Sequence, residues 1–251
     1  MSKLADRIRK ASRLEAAPMG FGAGASRKPM PTMLCLLRLS ASEMDKAAEA
    51  ITKGADSIIF EGIDAERLKE QARKADNLLL GTRLDEAERA AVAAQRGAGA
   101  DFVVLDFESA SAGALLEEGI GLVLALSRDT SDTTLRLLAD LPLDALLVPA
   151  PDVPLTVARV LELRRIAVLA RTPLLMEVTQ DISASQLHIL RDAGVAGIIL
   201  EGGALERLPA LREAIASLPP RGHRREERPE AVLPAPALVS AAEVEEEEGL
   251  P

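Results

Sequence analysis

Short, continuous apolar runs recur along the chain at intervals of roughly 20 to 29 residues, and most end at a charged residue or a glycine. Runs of this kind are typical of parallel strands that are covered on both faces. Between them, apolar residues recur at the spacing of amphipathic helices. We predict strands at Thr32–Arg38, Ser57–Glu61, Leu78–Gly81, Phe102–Asp106, Leu122–Leu126, Ala145–Val148, Leu174–Glu177 and Gly197–Glu201.

The segments between the strands carry helix-start signals. Ser42 with Asp45, Asp85 with Glu88, and Ser183 with Gln186 fit or approximate a capping box, in which two side chains satisfy the first backbone donors of a helix. We predict helices at 42–53, 64–75, 85–97, 110–118, 131–139, 154–170, 183–193 and 206–218.

Regular alternation of strands and helices predicts an α/β protein, specifically a (β/α)8 barrel over residues 31–218. The chain has 251 residues, 48% of them hydrophobic, which suits a single barrel of this type. Aromatic residues make up only 2%, so the core must be aliphatic.

Two segments lie outside the predicted barrel. Residues 1–30 hold a basic amphipathic helix, predicted over 3–16, and a glycine-rich stretch. We expect the helix to close the N-terminal end of the barrel, and the glycine-rich stretch to be either a lead-in loop or an anion-binding flap. Residues 219–251 are rich in proline and glutamate, a composition typical of disorder.

The charge and composition exclude several partners. A net charge of −9 opposes binding to a phosphate backbone, and the scarcity of aromatic residues removes stacking platforms, so no nucleic-acid partner is expected. No uncharged apolar run approaches the ~18 residues of a membrane span. We see no secretory signal and expect a cytoplasmic protein. The basic N-terminal segment either docks on the acidic barrel or meets an anionic partner.

Candidate functional residues lie where the predicted strands end, because active sites of such barrels lie at the C-terminal ends of the strands. Asp106 and Glu108 are two residues apart, and strand alternation would place them on one side. The candidate set is Arg38, Glu61, Arg83, Asp106, Glu108 and Glu177.

These side chains allow two interpretations. Glu61, Asp106 and Glu108 could bind Mg²⁺ through carboxylate oxygens, and Asp106, Glu108 or Glu177 could act as a catalytic acid or base. Alternatively, the acidic residues cap the following helices or form salt bridges with arginines. Arg38 and Arg83 are the candidate anion-binding residues.

Gly202 and Gly203 follow the last predicted strand. In such barrels phosphate often binds to the loops after strands seven and eight, where glycines allow backbone amides to approach it. We predict a site for phosphate or a phosphorylated ligand here, although nearby Glu201 and Glu206 oppose an anion. A plain glycine-rich turn is the alternative.

The lysines, histidines and the cysteine of the chain limit the kinds of active site that it can form. The last lysine is Lys74, so a late-strand Schiff-base lysine is excluded. The two histidines, His188 and His223, lie in a predicted helix and in the tail, which disfavours a histidine-based metal centre or a Ser-His-Asp triad. Cys35 lies within the first apolar run, and we expect a buried thiol.

The stretches Gly97–Asp106 and Gly194–Gly203 resemble the helix–strand joints of aldolase-type TIM barrels, a group with phosphate-binding and flavin-binding members. The resemblance covers residues 31–218, and it implies a phosphorylated ligand or, as a lesser alternative, FMN. Residues 99–108 are also similar to the citrate-lyase-like aldolases, in which acids after the strand lie near Mg²⁺. The other signatures of those aldolases are missing from this chain.

The sequence therefore supports two functions. In the first, the barrel binds a small anionic or phosphorylated metabolite at its C-terminal mouth and could be a lyase or isomerase assisted by a divalent metal. In the second, it belongs to a family of degenerate barrels and acts as a scaffold or assembly subunit, for instance as a homo-oligomer. Whether the protein is an enzyme is left open by the sequence.

Overall fold

The structure, a computed structural model, describes residues 2–12, 32–74, 78–85, 87–150 and 155–219. The chain divides into a compact unit, Met1–Arg221, and a second unit, Gly222–Pro251. All described residues belong to the first unit. The predicted tail 219–251, apart from Pro219, and the predicted glycine-rich stretch lie outside the described residues. The predicted domain boundaries stay predictions.

Eight parallel strands form a closed barrel in chain order, with β8 paired to β1, which confirms the predicted architecture. Four strands begin and end as predicted, and the other four are shifted or extended at one or both ends. The strands are β1 Leu34–Ser40, β2 Ser57–Glu61, β3 Leu79–Leu84, β4 Phe102–Asp106, β5 Gly121–Ala125, β6 Ala145–Val148, β7 Leu174–Glu177 and β8 Val195–Glu201.

Helices connect most strands and form the outer ring. After β4 the predicted helix 110–118 is instead a short 3₁₀ helix, Ala112–Leu116, and 3₁₀ helices Ala41–Lys46 and Gly202–Arg207 precede α2 and α8. The α-helices are α1 Lys3–Ser12, α2 Ala47–Thr52, α3 Ala65–Lys74, α4 Arg89–Ala98, α5 Asp132–Leu138, α6 Val157–Ala170, α7 Ala184–Asp192 and α8 Leu208–Ala216.

One of the predicted capping boxes is confirmed, and another lies at different residues. Ser183 and Gln186 form the expected capping box of α7. After β1, however, the box consists of Ser40 and Glu43, two residues before the predicted Ser42 and Asp45. Strand β1 extends past its predicted end to Ser40, and the 3₁₀ helix follows directly at Ala41, with Ser40 as its N-cap.

The apolar core has an outer layer, between strands and helices, and an inner layer that fills the barrel. Glycines make room for the large side chains of the inner layer. A Cβ at Gly81 would lie 2.3 Å from the ring of Phe102, and one at Gly197 would lie 2.8 Å from Leu36 Cδ1. The middle of the barrel is therefore filled, and the space open to a ligand lies at its ends.

Helix α1 closes the N-terminal end of the barrel, as predicted. Leu4, Ile8 and Ala11 are buried and belong to the inner apolar layer. At the rim, Lys3 Nζ lies 2.7 Å from an oxygen of Asp101, just before β4. Within the ranges that the structure describes, no helix has the length and apolar character needed to cross a bilayer.

Candidate ligand-binding site at the barrel mouth

Charged side chains form the uppermost layer of the barrel interior. Leu36, Ile59 and Leu175 belong to the inner apolar layer, and the residues two positions later on the same strands face the same way. Those later residues are Arg38 on β1, Glu61 on β2 and Glu177 on β7, and Arg83 on β3 and Glu201 at the end of β8 join them.

Arg38 is the centre of this layer. Its Nη1 lies 2.6 Å from Glu177 Oε1 and 3.6 Å from Glu61 Oε1, and its Nη2 lies 2.8 Å from Glu201 Oε1. The side chain is only 19% exposed. The contacts with Glu177 and Glu201 have the length of strong charge-assisted hydrogen bonds, so Arg38 links β1 to β7 and β8.

Arg83 approaches two of the same carboxylates from β3. Its Nη1 lies 3.6 Å from Glu61 Oε1 and 3.9 Å from Glu177 Oε1. Two guanidinium groups thus converge on the carboxylate of Glu177. The structure brings together four predicted site residues, namely Arg38, Glu61, Arg83 and Glu177, and pairs the acids with arginines.

Asp106 and Glu108 are arranged differently from the prediction. Strand β4 ends at Asp106, and Glu108 lies in the following turn and is exposed. Asp106 Oδ1 accepts hydrogen bonds from the backbone N–H groups of Glu108 (3.0 Å) and Ser109 (3.2 Å). Strand alternation does not apply to Glu108, because the strand ends before it, and a shared side for the two carboxylates stays a prediction.

The predicted Mg²⁺ ligands do not fit a preformed metal site. In the described part of the chain, no group of three His, Cys, Asp or Glu side chains is placed so that it could hold a metal ion. Glu61 is engaged by the two arginines of the mouth, and Asp106 by its own turn. Metal binding by Glu61, Asp106 and Glu108 stays a prediction.

Gly202 and Gly203 begin the 3₁₀ helix after β8, but only Gly203 faces open space. A Cβ at Gly202 would lie 2.6 Å from Glu43 Oε2, whereas one at Gly203 would have no heavy atom within 4 Å. A carboxylate of the protein itself therefore lies against one of the two glycines predicted to approach a phosphate.

Glu43 is held firmly in this position. Lys46 Nζ donates to Glu43 Oε1 (2.7 Å) and Ser40 Oγ to Glu43 Oε2 (3.0 Å), while Lys46 Nζ also lies 3.4 Å from the carbonyl oxygen of Gly202. The hydrogen bond from Lys46, and then that from Ser40, lowers the pKa of Glu43. Glu43 and Lys46 were not predicted as site residues, although a capping box that begins at Ser40 would have identified Glu43.

Comparison with solved structures gives the fold class of this protein. 3-Keto-L-gulonate-6-phosphate decarboxylase from Vibrio cholerae has a TM-score of 0.60 at 12% identity, over 75% of this chain and 99% of that one. Thiamine phosphate pyrophosphorylase from Pyrococcus furiosus has a TM-score of 0.53 at 16% identity, over 72% and 95%. The tryptophan synthase α-subunit from Pyrococcus furiosus scores 0.53 at 14%, over 74% and 97%.

These likenesses show the TIM-barrel fold. At such identities they show the fold alone, because one superfold carries many unrelated functions. No protein-family model matches the chain, and no curated protein matches its sequence.

Proposed function

We propose that this barrel binds a small anionic ligand, carrying a carboxylate or a phosphate, at its C-terminal mouth. The observation that carries the proposal is the convergence of Arg38 and Arg83 on the carboxylate of Glu177. Guanidinium groups are suited to planar, bidentate recognition of carboxylates and phosphates. In this proposal, Glu177 occupies the place of the ligand's anionic group.

A ligand would have to compete with the carboxylates of the protein. Two arginines face Glu61, Glu177 and Glu201, so these five side chains carry a net charge of −1. A phosphate monoester, with close to two negative charges at neutral pH, competes better for the guanidinium groups than a single carboxylate does. The names of two structural neighbours contain phosphorylated compounds, which favours this ligand class by analogy.

An enzymatic form of this proposal uses the carboxylate that the ligand displaces. Once released from the arginines, Glu177 would lie beside the bound anion and could accept a proton from it, as an isomerase or lyase requires. Asp106 is the alternative base at the end of β4. No step of this proposal uses a metal ion.

Thermal unfolding followed by circular dichroism at 222 nm tests ligand binding, and it suits a chain without Trp or Tyr. Glycerol 3-phosphate at 100 times its dissociation constant should stabilise the protein by about 2.7 kcal/mol, whereas equal ionic strength of sodium chloride should not. Arg83→Gln should remove the effect. Arg67→Gln, on the exposed face of α3, is the matched control. An equal shift in both variants, or none in the wild type, would contradict the proposal.

A second candidate function, an assembly subunit, is favoured by the outer face of α6. Val157, Leu161 and Val168 lie on one side of this helix and are 77%, 61% and 64% exposed, while Leu163 and Ile166 on the other side are buried. An exposed apolar stripe on a helix that already packs on the barrel is typical of a protein–protein contact. We take the partner to be a second copy of this chain.

Sedimentation velocity tests this candidate. The wild type should sediment as an oligomer that Leu161→Glu dissociates. Leu116→Glu is the matched control, because Leu116 is also 64% exposed but lies on the 3₁₀ helix after β4. A wild type that is monomeric at every concentration would exclude self-assembly through α6.

A further inference from the structure

A cavity of about 610 Å³ lies at the end of the barrel opposite the mouth. It lies between α1 and the segments that precede β6, β7 and β8. Its volume falls within the usual range of small-molecule sites, about 300 to 1,000 Å³. Neither the mouth residues nor the predicted phosphate loop contribute to it.

The lining of this cavity is amphiphilic. Ile8 of α1, Leu143 before β6 and Pro173 before β7 supply apolar surface, and Arg9 and Arg171 supply two guanidinium groups. The lining therefore pairs apolar surface with positive charge, which suits an anionic headgroup on an apolar body.

Asp144 also lines the cavity, but its carboxylate is already engaged. The hydroxyl of Ser2 donates to Asp144 Oδ2, and the same oxygen lies 2.6 Å from the position of a Cβ on Gly121. Burial raises the pKa of Asp144, so its charged form is less favoured than that of an exposed carboxylate. Asp144 thus opposes an anion less than its formal charge suggests.

Arg171 has an unusual backbone conformation. It is the C-cap of α6, with φ 51° and ψ 27°, and it is the single non-glycine residue with positive φ in the described part of the chain. Glycine is the usual residue at such a position, since it has no Cβ to strain the left-handed conformation. Here a long cationic side chain stands at this position and lines the cavity.

Arg9 reaches the same cavity from α1. Its Nη1 lies 3.6 Å from an oxygen of Asp6, and both side chains are about half exposed. A guanidinium group has five N–H donors, so Arg9 can keep its existing partners and still donate to an anionic headgroup.

We propose that this cavity binds a small amphiphilic anion, with its carboxylate or phosphate headgroup at Arg9 and Arg171 and its apolar body against Ile8, Leu143 and Pro173. The site is independent of the mouth. Helix α1 forms one of its walls, so binding would also stabilise the packing of this helix against the end of the barrel.

Isothermal titration calorimetry of the full chain tests the proposal with three probes of equal chain length, each below its micellar concentration. Octyl phosphate or octanoate should bind, and whichever binds more tightly identifies the preferred headgroup. Octanol, which lacks the charge, should bind at least about tenfold more weakly, which corresponds to about 1.4 kcal/mol. Equal binding of octanol, or no binding of either anion, would overturn the proposal.

Variants locate the binding. Arg171→Asn should weaken binding of the preferred anion about tenfold, because Asn tolerates the left-handed conformation but carries no charge. Arg9→Gln, on the exposed side of α1, removes the other guanidinium group and leaves the left-handed backbone at position 171 unchanged. It should also weaken binding of the preferred anion. Arg67→Gln, on the exposed face of α3 and outside both proposed sites, is the control and should bind as the wild type does. If both cavity variants also bind as the wild type does, the site is excluded.

Discussion

Arg38 is the residue on which the arrangement of the mouth depends. Its guanidinium lies within 3.6 Å of carboxylates from three other strands. The position of this side chain follows from strand alternation alone, since Leu34 and Leu36 belong to the inner apolar layer and Arg38 is the next residue on that face. Arg38, Glu61 and Glu177 were predicted as candidate residues because each ends an apolar run, and alternation explains why their side chains face the interior.

The contact between Gly202 and Glu43 gives a prediction about stability. Gly202→Ala should cost about 1 kcal/mol, because the new methyl group would push Glu43 away from Lys46 and Ser40. Gly203→Ala is the matched control and should stay within about 0.5 kcal/mol of the wild type, since the added methyl group meets open space. Urea unfolding followed by circular dichroism measures both.

A double-mutant cycle identifies the cause of that loss. In a Glu43→Ala background the effect of Gly202→Ala should largely disappear, since residues in contact are not additive. If Gly202→Ala costs the same with and without the Glu43 side chain, the carboxylate does not occupy the space beside Gly202.

Cys35 gives a prediction about pH. Burial, and then the charge of Asp56, raises the pKa of this thiol from 9.0 to about 12. The folded thiol should therefore resist alkylation by iodoacetamide at pH 8, while the urea-unfolded thiol should react readily. Mass spectrometry of the labelled protein measures this, and rapid labelling of the folded chain would show that the thiol is not buried.

The same shift sets the direction of the pH dependence of stability. Between pH 9 and about pH 12 the unfolded chain loses the thiol proton while the folded chain keeps it. Because the folded state then binds more protons, the free energy of unfolding should fall as pH rises through this range. Cys35→Ala should remove that part of the dependence.

Two predictions at the residue scale applied a local pattern at the wrong position. Strand alternation was applied to Glu108, which lies beyond the end of β4, and the capping box after β1 was placed at Ser42 instead of Ser40. Strand β1 itself extends to Ser40, past its predicted end at Arg38. The contact of Glu43 with Gly202 joins the ends of β1 and β8, and no local pattern contains it.

At the scale of elements, the strands were more predictable than the helices. A strand buried on both faces is a continuous apolar run, and β2, β4, β6 and β7 begin and end where such runs do. Helix ends are less clearly marked in the sequence. The predicted helix 110–118 has only the 3₁₀ segment Ala112–Leu116, where Gly113 weakens the helical pattern.

A prediction about stability tests whether helix α1 is packed firmly against the end of the barrel or is only loosely attached to it. Leu4 is fully buried within the inner layer, so Leu4→Ala should cost about 2–4 kcal/mol. Lys3→Ala, one residue earlier, should cost under about 1 kcal/mol, because the Lys3 side chain is 77% exposed. Urea unfolding measures both, and equal small effects would show that α1 does not close the barrel.

At the scale of the whole molecule, barrel closure creates the mouth. Arg38 and Glu177 are 139 positions apart in the sequence and meet because β1 and β7 both flank β8. The sequence predicted the ring and the charged ends of its strands. It could not predict which acids would pair with which arginines, because that depends on side-chain conformations across the opening.

The two ends of the barrel have different chemistry. The mouth presents arginines already paired with glutamates, whereas the cavity beside α1 presents two arginines above apolar surface. An anion at the mouth must displace a carboxylate of the protein from the arginines. Glu177 should therefore act as an internal competitor of any ligand at the mouth.

The most direct test of this account is calorimetric titration of inorganic phosphate into the wild type, Glu177→Gln and Arg38→Gln. Removing the competing charge should tighten binding about tenfold, and removing the guanidinium should weaken it by about the same factor. Equal binding by all three proteins, or weaker binding by Glu177→Gln than by the wild type, would contradict an anion site formed by Arg38 and Arg83.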